Sequence, residues 1–110
     1  MTYRDLTSFE GLLEQQPAER LAPFSAKLIL PLVEHDRENG TALVQTLRTF
    51  LEVDGSVNAT AKELFLHPNS LRHRLKRVHE LTGENPRVFR ERVALAVGLW
   101  AWERRPRGRR

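Results

Sequence analysis

Apolar residues recur at helical spacing along most of the chain, and turn signals divide them into segments. Leu71, Leu75 and Val78 stand at positions i, i+4 and i+7. This spacing places one apolar stripe along a helix. Pro68 suits the first position of that helix, since proline has a fixed φ and no N–H to leave unpaired, and Gly83 is placed to end it. The pattern therefore predicts a helix with one face committed to a core.

A shorter helix is predicted immediately before this one. Asn58 can cap it, because the side-chain oxygen of asparagine accepts hydrogen bonds from the free N–H groups of a first turn. Ala61 and Leu64 supply apolar contacts, and residues 65–67 carry the chain round a tight turn. The two segments together predict a helix-turn-helix unit over residues 58–82.

A further helix is predicted upstream of this unit, capped by Thr41. It should be the first helix of a trihelical core and should end in a turn at Asp54 and Gly55. Its apolar stripe consists of Leu43, Leu47, Phe50 and Leu51.

The N-terminal part of the chain is predicted to form short helices. Thr7 or Ser8 can cap a first one. Residues 18–36 are mostly apolar at helical spacing, but Pro23 and Pro31 fall within them. Because an internal proline removes a backbone hydrogen bond and clashes with the preceding turn, we expect a kink or break near each of the two.

The C-terminal part is predicted to form one helix with two apolar faces, begun by Asn85 as N-cap and Pro86 as first residue. The first face is interpreted as core. The second either also packs inside the chain or holds a second subunit. The first stripe is Phe89, Val93, Ala96, Val97 and Trp100, and the second is Leu95, Leu99 and Trp102.

Charge is divided unevenly between the two ends of the chain. Residues 1–67 hold 6 Lys and Arg against 10 Asp and Glu, whereas residues 68–110 hold 12 against 4, so the net charges are −4 and +8. Such a split is expected when one end faces a polyanion. The chain closes on ERRPRGRR, which predicts a basic disordered tail that either contacts DNA or remains a solvated charged end.

The face of the predicted 68–82 helix opposite Leu71 is polar and basic, and no carboxylate occurs between Glu63 and Glu80. Such a face suits the phosphates beside a major groove, and Asn, Ser, His and Arg side chains can also address base edges. A solvated charged face is the alternative. At 100° per residue, the far side and its flanks comprise Asn69, Ser70, Arg72, His73, Arg74, Lys76 and Arg77.

Four stretches together resemble the C-terminal helix-turn-helix of PucR/CdaR-type bacterial transcriptional regulators and, more distantly, the DNA-binding end of Fis. They are residues 58–64 (NATAKEL), 67–75 (HPNSLRHRL), 43–51 upstream and 81–83 downstream. The resemblance implies an all-α fold in which a trihelical Fis-like core is flanked by N-terminal and C-terminal helices. It also implies sequence-specific binding of double-stranded DNA. Any effector would be bound by an upstream domain not present here.

The chain departs from this family at Pro68, where the family usually carries a basic residue close to the bases. Pro68 can start the helix but cannot read a base. The predicted readers of base edges are therefore His67, Asn69, Ser70, Arg72 and His73, and the predicted phosphate contacts are Arg74, Lys76 and Arg77.

These observations predict three regions: a helical linker region at 1–39, a helix-turn-helix DNA-binding domain at 40–104 and the tail at 105–110. Because helix-turn-helix proteins commonly pair across successive major grooves, we expect a homodimer. A dimerisation or protein-interaction module with a degenerate helix-turn-helix is the principal alternative, and an RNA-binding basic helix is a third.

No catalytic residue, cofactor or metal site is predicted, and we expect a cytoplasmic protein that is not an enzyme. The chain has no cysteine, and no uninterrupted apolar run is long enough to span a membrane. His73 and His79 are six residues apart, which turns a helix by about 240°, so they cannot share a metal ion.

Overall fold

The computed structural model describes residues 18–105, and it describes side chains from residue 20 onwards. Within this range the chain is helical and contains no strand, which confirms the predicted all-α fold. The first helix predicted at Thr7 or Ser8 and most of the predicted basic tail lie outside the described residues. The helices are α1 (Ala18–Asn39), α2 (Leu43–Glu52), α3 (Val57–Glu63), α4 (Pro68–Thr82) and α5 (Phe89–Glu103).

Helix α1 runs unbroken through Pro23 and Pro31, so the prediction of short helices divided at the prolines is wrong. An internal proline costs a helix about 3 kcal/mol. The compensation comes from packing, since Leu28, Ile29 and Leu32 are almost completely buried. Each such side chain contributes about 1.5–3 kcal/mol when it leaves water, which is of the same order as the cost of the prolines.

The main core is built by four helices, and α1 makes its most extensive contact with α5. The predicted second stripe of α5 lies in this core: Leu95 and Leu99 are fully buried, and Trp102 packs against them. The interpretation in which this stripe holds a second subunit is therefore wrong. The cluster consists of Leu28, Ile29, Leu32, Leu43, Leu47, Leu51, Val78, Leu95, Ala96 and Leu99.

The first stripe of α5 is buried only in part. Ala96 and Trp100 are buried as predicted, Val93 and Val97 are half-buried, and Phe89 is exposed. The exposure of Phe89 reflects its place at the start of the helix, beside the turn that leads in from α4.

Helix α5 begins at Phe89, with Val88 as N-cap, and not at the predicted Asn85 and Pro86. The side chain of Asn85 instead closes a local turn, accepting a hydrogen bond from the N–H of Arg87 over 2.9 Å. The N–H of Asn85 donates to Glu91 in the first turn of the helix, over 2.6 Å. Asparagine commonly bonds the backbone two residues on, and here that turn displaces the helix start.

The N-terminus of α2 is capped from the preceding helix, so the prediction that Thr41 caps it is wrong. Ala42 occupies the N-cap position and offers no side-chain acceptor. The carboxylate of Asp36 accepts from the N–H of Leu43 at 2.7 Å and of Val44 at 3.1 Å. Thr41 supports this arrangement, because its hydroxyl donates to the same carboxylate at 2.5 Å.

Candidate nucleic-acid interface

The helix-turn-helix is formed by α3, the turn at 64–67 and α4. Helix α3 is capped by Ser56, whose hydroxyl oxygen accepts from the N–H of Ala59 at 3.0 Å, and not by Asn58 as predicted. Val57 is the first helical residue and packs against the core beneath α4, which puts Asn58 inside the helix. Because the cap must stand just before the first helical residue, Ser56 takes that role.

Helix α4 begins at Pro68, and Gly83 caps its C-terminus, so both predictions are confirmed. Gly83 adopts the left-handed conformation (φ 79°) that glycine reaches without steric cost. The N-cap is His67, whose Nδ1 accepts from the N–H of Asn69 at 3.0 Å. This capping role was not predicted, since His67 was interpreted only as a reader of bases. Its Nδ1 must be unprotonated to accept this bond.

The buried face of α4 is the predicted one, since Leu71, Leu75 and Val78 are inaccessible to solvent. Leu71 and Leu75 pack with Phe50 of α2 and Ala61 of α3 in a second apolar cluster. Val78 packs into the main core against α1, so α4 is fixed from one side by three other helices. Its opposite face is left free to meet a partner.

The exposed face of α4 brings most of the predicted contacts together. Six of the predicted residues share it, and the turn adds the exposed His67 at its N-terminal end. They form a continuous polar and basic surface one helix long, which we call the α4 surface. Its helical residues are Asn69, Ser70, Arg72, His73, Lys76 and Arg77.

Arg74 departs from the other predicted contacts. It is half-buried at the border of the apolar face, and its Nη1 donates to the hydroxyl of Thr46 in α2 over 3.0 Å. One donor of its guanidinium therefore joins α4 to α2. Four of the five N–H donors that a guanidinium carries are left for other partners.

Two side-chain bonds involve residues of the α4 surface. Arg72 donates from Nη1 to the side-chain oxygen of Asn69 over 2.8 Å, which holds the guanidinium near the start of the helix. Arg77 pairs with Glu80 over 3.0 Å, and both side chains are about half exposed. Such an exposed pair contributes only about 0–1 kcal/mol, so a phosphate can replace the carboxylate.

Arg92 connects the start of the helix-turn-helix to α5, and no sequence signal pointed to it. Its guanidinium lies 6.0 Å from the centre of the Phe50 ring and 5.8 Å from that of Phe89, and it donates to the carbonyl of Pro86 over 3.0 Å. A Cβ placed on Gly55 would lie 2.8 Å from this guanidinium. The α2–α3 turn thus depends on glycine for close packing and for its φ of 79°.

His35, Asp36 and Thr41 form a polar cluster at the end of α1, but their hydrogen bonds do not activate the Thr41 hydroxyl as a nucleophile. The hydroxyl of Thr41 donates its proton to Asp36. The same hydroxyl oxygen lies 3.0 Å from Nδ1 of His35, towards which it can only accept a hydrogen bond. The imidazole is therefore not placed to withdraw the hydroxyl proton. Residues 18–105 also contain no group of three His, Asp or Glu side chains suited to a metal ion. None of the helices in this range is long and apolar enough to cross a membrane.

Comparisons with known proteins agree with this geometry. The family model for the PucR C-terminal helix-turn-helix domain matches residues 43–101. An uncharacterised protein of Mycobacterium tuberculosis is 43% identical over 63 residues, which cover 54% of this chain and 15% of that protein.

Several relatives carry functional names, and two of them match more than three quarters of this chain. The proline-responsive transcriptional activator PutR of Bacillus subtilis is 28% identical over 97 residues, or 88% of this chain and 24% of that protein. The purine catabolism regulatory protein of the same organism is 34% identical over 90 residues, or 78% and 17%. The chain thus spans less than a quarter of the length of these relatives.

Proposed function

The chain belongs to the PucR C-terminal helix-turn-helix domain family of transcriptional regulators, and we propose that it binds double-stranded DNA sequence-specifically through α4. The observation that carries this proposal is the α4 surface: an exposed, basic helix face without a carboxylate between Glu63 and Glu80. Its back is fixed by Leu71 and Leu75. A helix held in this way fits a major groove about 12 Å wide.

The N-terminal half of α4 is assigned to base edges. In helix-turn-helix proteins the first residues of the recognition helix contact the bases. Asn69, Ser70, Arg72 and His73 stand there, and all are exposed. The bond from Arg72 to Asn69 orients the guanidinium, which favours a two-point contact with the O6 and N7 acceptors of guanine.

The C-terminal half is assigned to phosphates. Lys76 and Arg77 are exposed one turn further along, where a helix lying in the groove passes the backbone. Arg74 joins them if its remaining donors turn outward while one stays on Thr46. Contacts of this kind release counterions, so binding should weaken steeply as salt rises.

The proposal includes a homodimer, since two α4 helices related by two-fold symmetry would reach major grooves about 34–36 Å apart. As Leu95 and Leu99 are used inside the chain, the dimer contact must lie on another surface. An effector would bind outside residues 18–105, in the further length that the relatives possess, and the regulator would act in the cytoplasm. Sedimentation with and without a two-site DNA fragment tests the dimer.

The test of DNA binding is selection of random genomic fragments by the 110-residue chain, followed by affinity measurements across a salt series. We expect enrichment of a two-fold symmetric motif. Lys76→Ala and Arg77→Ala should each weaken binding to every sequence and reduce the slope of log affinity against log salt by about 1. The matched control is Lys27→Ala, which removes an exposed lysine from α1.

The outcomes separate the possible functions. Salt-dependent binding without a motif would refute sequence reading while keeping DNA as the partner. Equal losses in Lys27→Ala and Lys76→Ala would refute the assignment to α4. Absence of binding at low salt would refute the proposal and favour the protein-interaction module.

A further inference from the structure

Phe65 occupies a backbone conformation that suits glycine. It is the second residue after α3, has a φ of 56°, and donates its N–H to the carbonyl of Lys62 over 3.3 Å. The N–H of Leu66 reaches back to Ala61 over 2.8 Å, which closes the helix end. Helices that end in this way commonly place glycine at the left-handed position, since a side chain there is strained.

The rest of the described chain follows that rule. Residues 18–105 contain five positions with positive φ, of which three are glycines: Gly40, Gly55 and Gly83. A fourth is Asp54, and aspartate is one of the few residues that tolerate the left-handed region. Phe65 is the exception, because a bulky aromatic side chain has no local hydrogen bond with which to offset the strain.

Packing does not explain Phe65 either. Its side chain is 95% exposed, whereas the next most exposed large apolar side chain among the described residues, Phe89, is 53% exposed. The ring therefore contributes nothing to the core and adds apolar surface to water. Both the backbone and the solvent would favour a smaller polar residue here, which points to a contact made with a partner.

The position of Phe65 indicates which partner. It stands two residues before His67, the cap of α4, so the two Cα atoms lie within about 7.6 Å of each other. Lys62 and His67, on either side of it in sequence, are both exposed, and Glu63 is the last acid before Glu80. An aromatic ring at the N-terminal end of a basic surface suits a polyanion that also presents apolar groups.

We propose that Phe65 is a DNA-contacting residue whose ring packs on a deoxyribose or a thymine methyl group beside the groove that α4 enters. This inference rests on the proposed function and adds to it an uncharged contact from the turn. Thymine exposes its methyl group in the major groove, and apolar side chains read it there. Burial of the ring supplies affinity without neutralising a phosphate.

The experiment compares Phe65→Asn and Phe65→Gly with the wild-type chain on a fragment chosen by the genomic selection. Both replacements accept the left-handed conformation, so the melting temperature should rise by a few degrees. Affinity should nevertheless fall by about tenfold, while the slope against salt stays unchanged. Phe65→Tyr keeps the ring and should bind within about twofold of wild type. The matched control is Phe24→Ala, which removes an exposed ring from α1.

The results distinguish the two claims. If Phe65→Asn and Phe65→Gly both bind DNA with wild-type affinity, the assignment of Phe65 is overturned, while the proposal that the chain binds DNA stands. A flatter salt slope in these variants would also overturn it, because the loss would then come from displaced charges. A wild-type chain that binds no DNA would overturn both.

Discussion

Asp36 stabilises the start of α2 from the end of α1, so its replacement tests how the helix-turn-helix core is joined to α1. The half-buried carboxylate accepts hydrogen bonds from the N–H groups of Leu43 and Val44 and from the hydroxyl of Thr41. Asp36→Ala removes all three acceptor contacts. The N–H groups of Leu43 and Val44 at the start of α2 then have only water as a partner.

The magnitude follows from these contacts. Loss of an N-cap side chain costs about 0.5–2 kcal/mol, and loss of a negative charge beside the N-terminus adds about 0.3–1 kcal/mol. The bond to Thr41 adds about 1 kcal/mol more. We therefore expect Asp36→Ala to lower the free energy of unfolding by about 2–4 kcal/mol, which is a large part of the stability of a small domain.

Urea unfolding followed by circular dichroism measures this loss. With a slope of about 1–3 kcal/mol per molar urea, the midpoint should fall by at least about 0.7 M and by up to about 4 M. Asp36→Asn keeps one acceptor oxygen and should lose about half as much. Glu38→Ala, which removes an exposed acid from the same turn of α1, is the matched control.

Two results would refute this reasoning. If Asp36→Ala lies within about 0.5 kcal/mol of Glu38→Ala, the carboxylate does not cap α2, since that is the scatter of ordinary surface substitutions. If Thr41→Val costs as much as Asp36→Ala, the hydroxyl is the group that matters.

Three further substitutions test the support of α4. Leu75→Ala should lower the free energy of unfolding by about 2–5 kcal/mol, because it opens a cavity beneath the helix, and a loss below about 1 kcal/mol in urea would contradict that packing. Gly55→Ala should lower the free energy of unfolding by about 1–2 kcal/mol in the same assay, since φ at this position is 79° and the new Cβ would meet Arg92. Gly40→Ala is the control that separates backbone strain from the contact, because Gly40 has a φ of 65° and open space around it. His67→Ala should lose about 0.5–2 kcal/mol while His67→Asn keeps the cap, and equal losses in the two variants would show that the cap bond is unimportant.

The parts of the fold that sequence predicted are those fixed by local chemistry. Pro68 and Gly83 mark the ends of α4. The backbone of proline is restricted and that of glycine is permissive wherever they occur in a chain. Leu71, Leu75 and Val78 were placed in the core by their spacing alone. The exposed basic residues of α4 followed from the same arithmetic, since a helix with one buried face must show the other to solvent.

The errors came from contacts between distant residues. The cap of α2 lies seven residues upstream, in Asp36, where a search of the adjacent positions finds only Thr41. The two prolines of α1 predict a kink or break, because the burial of this helix against α5 cannot be read from its own sequence. Arg92 reaches Gly55 across the fold, and a lone arginine in a basic sequence gives no signal of such a contact.

Position relative to a border between core and surface was also hard to predict. Arg74 stands about 40° from Val78 around α4, so it is neither buried nor turned fully outward, and only the presence of Thr46 in α2 determines its bond. Phe65 is the opposite case. Its place between two helices predicts only that it lies in the connecting turn. The sequence does not reveal that its side chain is in solvent and its backbone has a positive φ.

The packing of α1 on α5 means that the shared family unit and the foldable unit have different boundaries. The family match begins at residue 43, yet Leu28, Ile29 and Leu32 cover the face of Leu95 and Leu99. A graft of residues 43–101 alone onto another protein would present that face to water, where it invites aggregation. A DNA-binding unit for transplantation therefore has to include α1. The host protein would then be joined directly to a helix whose apolar residues form part of the core of that unit.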